Sequence, residues 1–192
     1  MIALPRLGDS VPRRGSAGLS SVGRALLRIM GWRVTGEIPD LPKFVVAVAP
    51  HTSNWDFAIG IATMFALDLK ITFIGKHTLF RWPIAGFMRW LGGVPVDRSA
   101  SHGVVGDTVG AIEGAAQSVV AIAPQGTRTR GARFKSGFLH IAKGAHVPVV
   151  LASLDYAARC VRFGPMFEPG DDVEAELARV QAFFANVKGK NS

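Results

Sequence analysis

The chain has 192 residues, 48% of them hydrophobic, with a formal net charge of +8. That length supports one domain with a real core and is too short for two comfortable ones. The positive balance suits anionic partners, but no aromatic stripe interleaves with the basic residues as nucleic acid would require, no apolar run reaches the length of a spanning helix, and the single cysteine, Cys160, excludes an intrachain disulfide.

Residues 1–21 scatter arginines and prolines with no continuous apolar stretch, which reads as a flexible lead-in and not as a secretory signal. From Val22 to Trp32 a short amphipathic helix is expected, with Val22, Leu26, Leu27, Ile29 and Met30 on one broad face and Arg24 and Arg28 on another. Residues 1–35 carry Arg6, Arg13, Arg14, Arg24, Arg28 and Arg33 against Asp9 alone. Such a helix suits an anionic membrane surface or the outside of the core, and the sequence leaves both open.

The remainder, within a single domain spanning 22–192, alternates between short β-prone runs and helical stretches. Strands are expected at Phe44 to Ala49, Ile71 to Ile74, Val94 to Val96, Val119 to Ala123, Val147 to Ser153 and Cys160 to Phe163. Helices are expected at about 54–68, 81–91, 103–117, 136–144 and 171–187, the last announced by Asp171, Asp172, Glu174 and Glu176 at its positive end. Nearly uninterrupted apolar strands with helices between them predict an α/β domain, its mainly parallel or mixed sheet flanked by helices.

Folds of this class place ligands beyond the carboxyl ends of their strands. Polar residues collect there: HTSNWD after VVAVAP, Asp97 and Arg98 after GGVPV, and QGTRTR after VVAIAP. In the first of these, His51 can accept a proton near neutral pH and Asp56 can fix its tautomer. Ser53 and Asp56 also fit a helix-capping box, so a purely structural role is equally written into the segment. No G-x-S-x-G elbow supplies a protein nucleophile, and the other histidines show no paired zinc-ligand spacing.

The charged residues between Gln125 and Lys143 are all basic: Arg128, Arg130, Arg133, Lys135 and Lys143. Gly126 permits a tight turn, Thr127 and backbone N–H groups can surround an anion, and arginine offers a planar fork suited to phosphate. Arg98 emerges from another strand end towards the same region. A solvated basic loop, with Arg98 paired to Asp97, is the plainer alternative.

Together these segments resemble the lysophosphatidate and glycerol-3-phosphate acyltransferase family. His51-Thr-Ser-Asn-Trp-Asp56 matches its H-x4-D motif, Gly93-Val-Pro-Val-Asp-Arg98 its second motif, Pro124-Gln-Gly-Thr-Arg128 its P-E-G-T-R motif, and Val147-Pro-Val-Val150 its final V-P motif. The resemblance implies a membrane-associated enzyme moving an acyl group from acyl-CoA or acyl-carrier protein to a lysophospholipid hydroxyl, at the cytoplasmic face of the membrane and with no cofactor or metal. It implies that His51 is the base, Asp56 its partner, Arg98 and Arg128 phosphate contacts, Gly126 and Thr127 loop-shaping residues, and Lys76 a further acceptor contact. One position departs from the pattern: Gln125 stands where the family has glutamate. That change leaves a noncatalytic lipid-binding protein as an alternative, and a hydrolase as another.

Overall fold

The computed structural model describes residues 4–96, 101–127 and 132–191, without the side chains of residues 101 and 102. In chain order the elements are α1 (Ala17–Ile29), β1 (Arg33–Gly36), β2 (Lys43–Ala49), α2 (Asn54–Ala66), β3 (Thr72–Lys76), a 3₁₀ turn (His77–Phe80), α3 (Ala85–Trp90), β4 (Gly93–Val96), α4 (Ser101–Gly114), β5 (Ser118–Ile122), α5 (Gly137–Gly144), β6 (Val149–Asp155), β7 (Cys160–Phe167) and α6 (Val173–Phe184). The strands form one sheet in the order β1-β7-β6-β2-β5-β3-β4. Strands β6, β2, β5, β3 and β4 are mutually parallel, β7 is antiparallel to β6, and β1 is parallel to β7. This is the expected single α/β domain with a mixed sheet.

Alternation along the central strands assigns the two faces. Phe44 and Val46 of β2, Val119 of β5, and Val150, Ala152 and Leu154 of β6 share a core with Leu27, Ile59, Ala62 and Leu67 of the α1–α2 layer. Val45, Ala47 and Ala49, Val120, and Val149 and Leu151 point the other way, against Ile112 of α4, Phe138 and Ile141 of α5, and Val180 and Phe184 of α6. Burial on both sides explains why these strands read as continuous apolar runs.

Several elements differ from the sequence pattern for identifiable reasons. Helix α1 begins at Ala17, ahead of Val22, because Ser16 caps it by accepting from the Leu19 N–H. Its buried residues are Ser20, Gly23 and Leu27, whereas Val22, Leu26 and Ile29 are exposed. A Cβ on Gly23 would lie 2.3 Å from the backbone nitrogen of Ala66, so this glycine sets how closely α1 meets α2. The segment before α1, expected as a lead-in, is anchored by buried Val11, by the Ser10 N–H donating to Asp40, and by Arg14 donating to the carbonyls of Trp90 and Leu91. The helix expected at 81–91 is shortened to α3, which begins at Ala85, two residues after Pro83 with its missing N–H, and a 3₁₀ turn precedes the expected range. Strand β1 was not expected: four residues with only Val34 buried give little periodic signal.

Candidate active site

Because five strands run in parallel, their carboxyl ends share one rim. His51 follows β2, Gln125 follows β5, Lys76 ends β3 and stands exposed, Val96 ends β4, and Tyr156 follows β6. Arg98 and Arg128 lie outside the described residues, as does the Asp97 alternative partner. Gly126 adopts φ +63°, in the left-handed region that favours glycine. Its N–H donates to the Ala123 carbonyl at 3.0 Å, and exposed Thr127 follows it.

The sequence left His51 and Asp56 with two competing roles; in the structure Asp56 caps α2 and at the same time faces the imidazole. Ser53 caps α2, and Asp56 Oδ2 accepts the backbone N–H groups of Ser53 at 2.7 Å and Thr52 at 2.6 Å, completing the capping box. The same oxygen lies 3.4 Å from His51 Nδ1. Asp56 Oδ1 accepts the hydroxyl of Tyr156 at 2.6 Å. Burial pushes this carboxyl up, but the bonds from His51, Tyr156, Ser53 and Thr52 outweigh it and hold it below its ordinary value. Bonds to an ionised acceptor are each worth about 1.5–3 kcal/mol, which is why several together win over desolvation. Asp56 is therefore a buried carboxylate, its side chain 2% exposed, beside an imidazole 24% exposed.

A second tie fixes the histidine's backbone. Gln125, buried, accepts the His51 N–H through Oε1 at 2.8 Å, joining the turn after β5 to the turn after β2. A third comes from residues 188–191. Asn191 Nδ2 donates to the Thr52 carbonyl at 2.8 Å, and Lys190 Nζ sits 4.7 Å from the centre of the Trp55 ring. A Cβ on Gly189 would lie 2.8 Å from Thr52 Oγ1, so the segment presses directly on the HTSNWD turn.

His51 and Asp56 line one end of an apolar cavity of about 200 Å³ between α2 and the sheet. Phe57, Ile61 and Met64 of α2 roof it, while Val46, Leu154 and Phe163 belong to its floor. Its space has a sequence origin: small residues line it, Gly60 on the helix and Ala121, Ala123 and Ala152 on the sheet side, and larger side chains on the sheet would fill it. A polar pair that can move a proton thus opens onto a space suited to a hydrocarbon chain.

Tyr156 and the 188–191 segment were not identified from sequence. The strand-end rule would have found Tyr156, had β6 been expected to reach Asp155 and not stop at Ser153. Nothing in the sequence pattern marks residues 188–191 as neighbours of Thr52.

Among solved structures, the fold is similar to the crystal structure of the 1-acyl-sn-glycerophosphate (LPA) acyltransferase PlsC from Thermotoga maritima. That match has a TM-score of 0.61, covers 90% of this chain and 80% of the other, and has 20% sequence identity, so it is a likeness of fold. No curated protein sequence matches the chain. The protein family described as Acyltransferase matches residues 33–154, a stretch that holds His51, Asp56, Gln125 and most of the cavity wall, and the chain belongs to that family.

Proposed function

We propose that this protein transfers a fatty acyl group from acyl-CoA or acyl-carrier protein to the free hydroxyl of a lysophospholipid such as 1-acylglycerol 3-phosphate. The observation that carries the reading is the His51–Asp56 pair at the mouth of the apolar cavity. The donor's acyl chain lies under α2, which brings its thioester carbonyl to the rim. With Nδ1 turned to Asp56, His51 takes the acceptor's hydroxyl proton on Nε2. The hydroxyl oxygen bonds to the carbonyl carbon, the C–S bond breaks, and the proton passes from His51 to the departing thiolate. No protein nucleophile and no acyl-enzyme intermediate enter the scheme. Arg98 and Arg128 are proposed as contacts for the acceptor phosphate, with Lys76 at the same rim.

Delivery of such substrates calls for contact with lipid. Among the described residues no helix is long and apolar enough to cross a membrane. Trp82 is 91% exposed, and Ile84, Phe87 and Trp90 are at least half exposed or close to it, with Arg81 and Arg89 among them. The exposed Val22, Leu26 and Ile29 stripe of α1, flanked by Arg24 and Arg28, is a second such surface. These surfaces support peripheral attachment to an anionic membrane surface, proposed as its cytoplasmic face.

The test is product-resolved mass spectrometry with acyl-CoA and a panel of lysolipids, comparing the chain with His51→Ala. A diacyl product lost in the variant supports transfer and names the acceptor; free fatty acid alone supports hydrolysis. Gln125 favours one second reading, a noncatalytic lipid-binding protein, which would stand if neither the natural chain nor Gln125→Glu yields product.

A further inference from the structure

Tyr156 is the only tyrosine of the chain and lies outside every segment that carries the family resemblance. Three contacts fix it. Its N–H donates to the Lys188 carbonyl at 2.8 Å, its ring meets the buried Trp32 edge-on at 4.9 Å between centres, and its hydroxyl donates to Asp56 Oδ1 at 2.6 Å. Directly before it, Asp155 accepts through Oδ1 the N–H groups of Ala157 and Ala158 and so closes the turn in which Tyr156 sits.

The two oxygens of Asp56 are thereby divided. Oδ2 takes both capping N–H groups and faces His51, while the Tyr156 hydroxyl is the partner of Oδ1. Because Oδ2 lies off the Cβ–Cγ axis, its two capping bonds already restrain rotation about that bond, but they act on one oxygen alone and leave the carboxylate plane some freedom to tilt relative to the imidazole. A donor on Oδ1, itself wedged against Trp32, removes that freedom. Resting on the reading of His51 as the base, we propose that Tyr156 is a positioning residue of the acyl-transfer reaction: its hydroxyl locks the plane of Asp56 so that Oδ2 orients the His51 ring. Burial, reinforced by the Asp56 hydrogen bond and charge, raises the phenol well above its ordinary pKa, so the hydroxyl remains a donor throughout the working pH range. A phenol serving only to fill space against Trp32 would not need its oxygen on the carboxylate.

The singularity of this tyrosine makes the test clean. Biosynthetic 3-fluorotyrosine replaces residue 156 alone, adding one fluorine beside the hydroxyl, and its 19F resonance reports the hydroxyl's environment in the whole protein. The expected result is a 19F shift that is displaced from the natural chain's in both His51→Ala and Asp56→Asn. A resonance indifferent to His51 overturns the proposal, whatever the enzyme's activity. In kinetics, Tyr156→Phe is expected to lower kcat about tenfold with KM changed less than about twofold, and to have less than about a twofold effect when Asp56 is already Asn, as coupled residues do. Equal losses in both backgrounds would make Tyr156 a structural residue only. Should the natural chain transfer no acyl group, the functional reading fails, and the 19F comparison of the variants still decides whether Tyr156 and His51 are linked through Asp56.

Discussion

The Oε1 atom of Gln125 and the backbone nitrogen of His51 are 2.8 Å apart, so the P-Q-G-T-R turn holds the backbone from which the imidazole projects. Glutamate at position 125 would keep this acceptor and strengthen it, since bonds to an ionised acceptor are roughly twice as strong as neutral ones. Gln125→Glu is therefore expected to raise turnover about tenfold, the scale of a 1.4 kcal/mol change in barrier. Steady-state kinetics on the acceptor found by mass spectrometry checks this, and equal or lower turnover contradicts it. Gln125→Leu leaves the His51 N–H without its acceptor and is expected to cost about 1–3 kcal/mol of stability.

Asp56 gives stability a defined dependence on pH. Its carboxyl is held below the ordinary value, so its contribution is complete above about pH 4 and is lost as pH falls through the lowered native value. Near neutrality Asp56→Asn is expected to cost about 1–2 kcal/mol through the weakened capping box. Thermal melts of the two proteins should differ most near neutral pH and converge as the solution is acidified below pH about 4. A gap that widens with acid would show that the carboxylate is not stabilised by these bonds.

The cavity owes its volume to small residues, and filling it should change which acyl chain fits. Ala152→Leu places a bulkier side chain on the cavity floor. The expected outcome is a shift of donor preference towards shorter chains, with kcat on the shorter donors within about threefold of the natural chain, since the His51 end is untouched. Unchanged selectivity across an acyl-CoA series would remove the cavity from the donor site.

The exposed aromatic segment between β3 and β4 makes a separate prediction. Trp82 contributes almost nothing to the core, so Trp82→Ala should leave the melting temperature within about 2 °C. Binding to anionic vesicles, measured by sedimentation, should fall several-fold in that variant and weaken with salt in the natural chain. Vesicle binding indifferent to both would leave the segment without a membrane role.

Much of this architecture was legible because the central strands carry one periodic signal and the HTSNWD turn another. Phe44 to Ala49 reads as a strand buried on both faces, and Ser53 with Asp56 reads as a helix start; the structure gives both. Helix α1 shows where hydrophobicity misleads. Its apolar face, read as Val22, Leu26, Leu27, Ile29 and Met30 for either the core or a membrane surface, is buried only at Leu27 and is exposed at Val22, Leu26 and Ile29; the other buried positions are Ser20 and Gly23, because close approach of two backbones needs small residues more than oily ones. Strand β1 and the break at Pro83 were missed for want of length in one case and of weight given to a single proline in the other. In the site, His51, Asp56 and Gln125 were readable and do converge. Tyr156 was not, because partnership between residues 100 apart in sequence leaves no local pattern.

The reversed direction of β7 settles where the chain travels afterwards. Phe167, at its end, pairs with Val149 at the start of β6, so the polypeptide leaves the sheet at the side remote from His51. Helix α6, twelve residues and about 18 Å long, then carries it back, and residues 188–191 arrive beside Thr52, Trp55 and Tyr156. Had β7 followed the direction of β6, the same helix would have delivered this segment to the opposite end of the molecule. The antiparallel step from β6 to β7 is thus a reversal of traffic: it turns the last stretch of described chain into part of the wall around the HTSNWD turn.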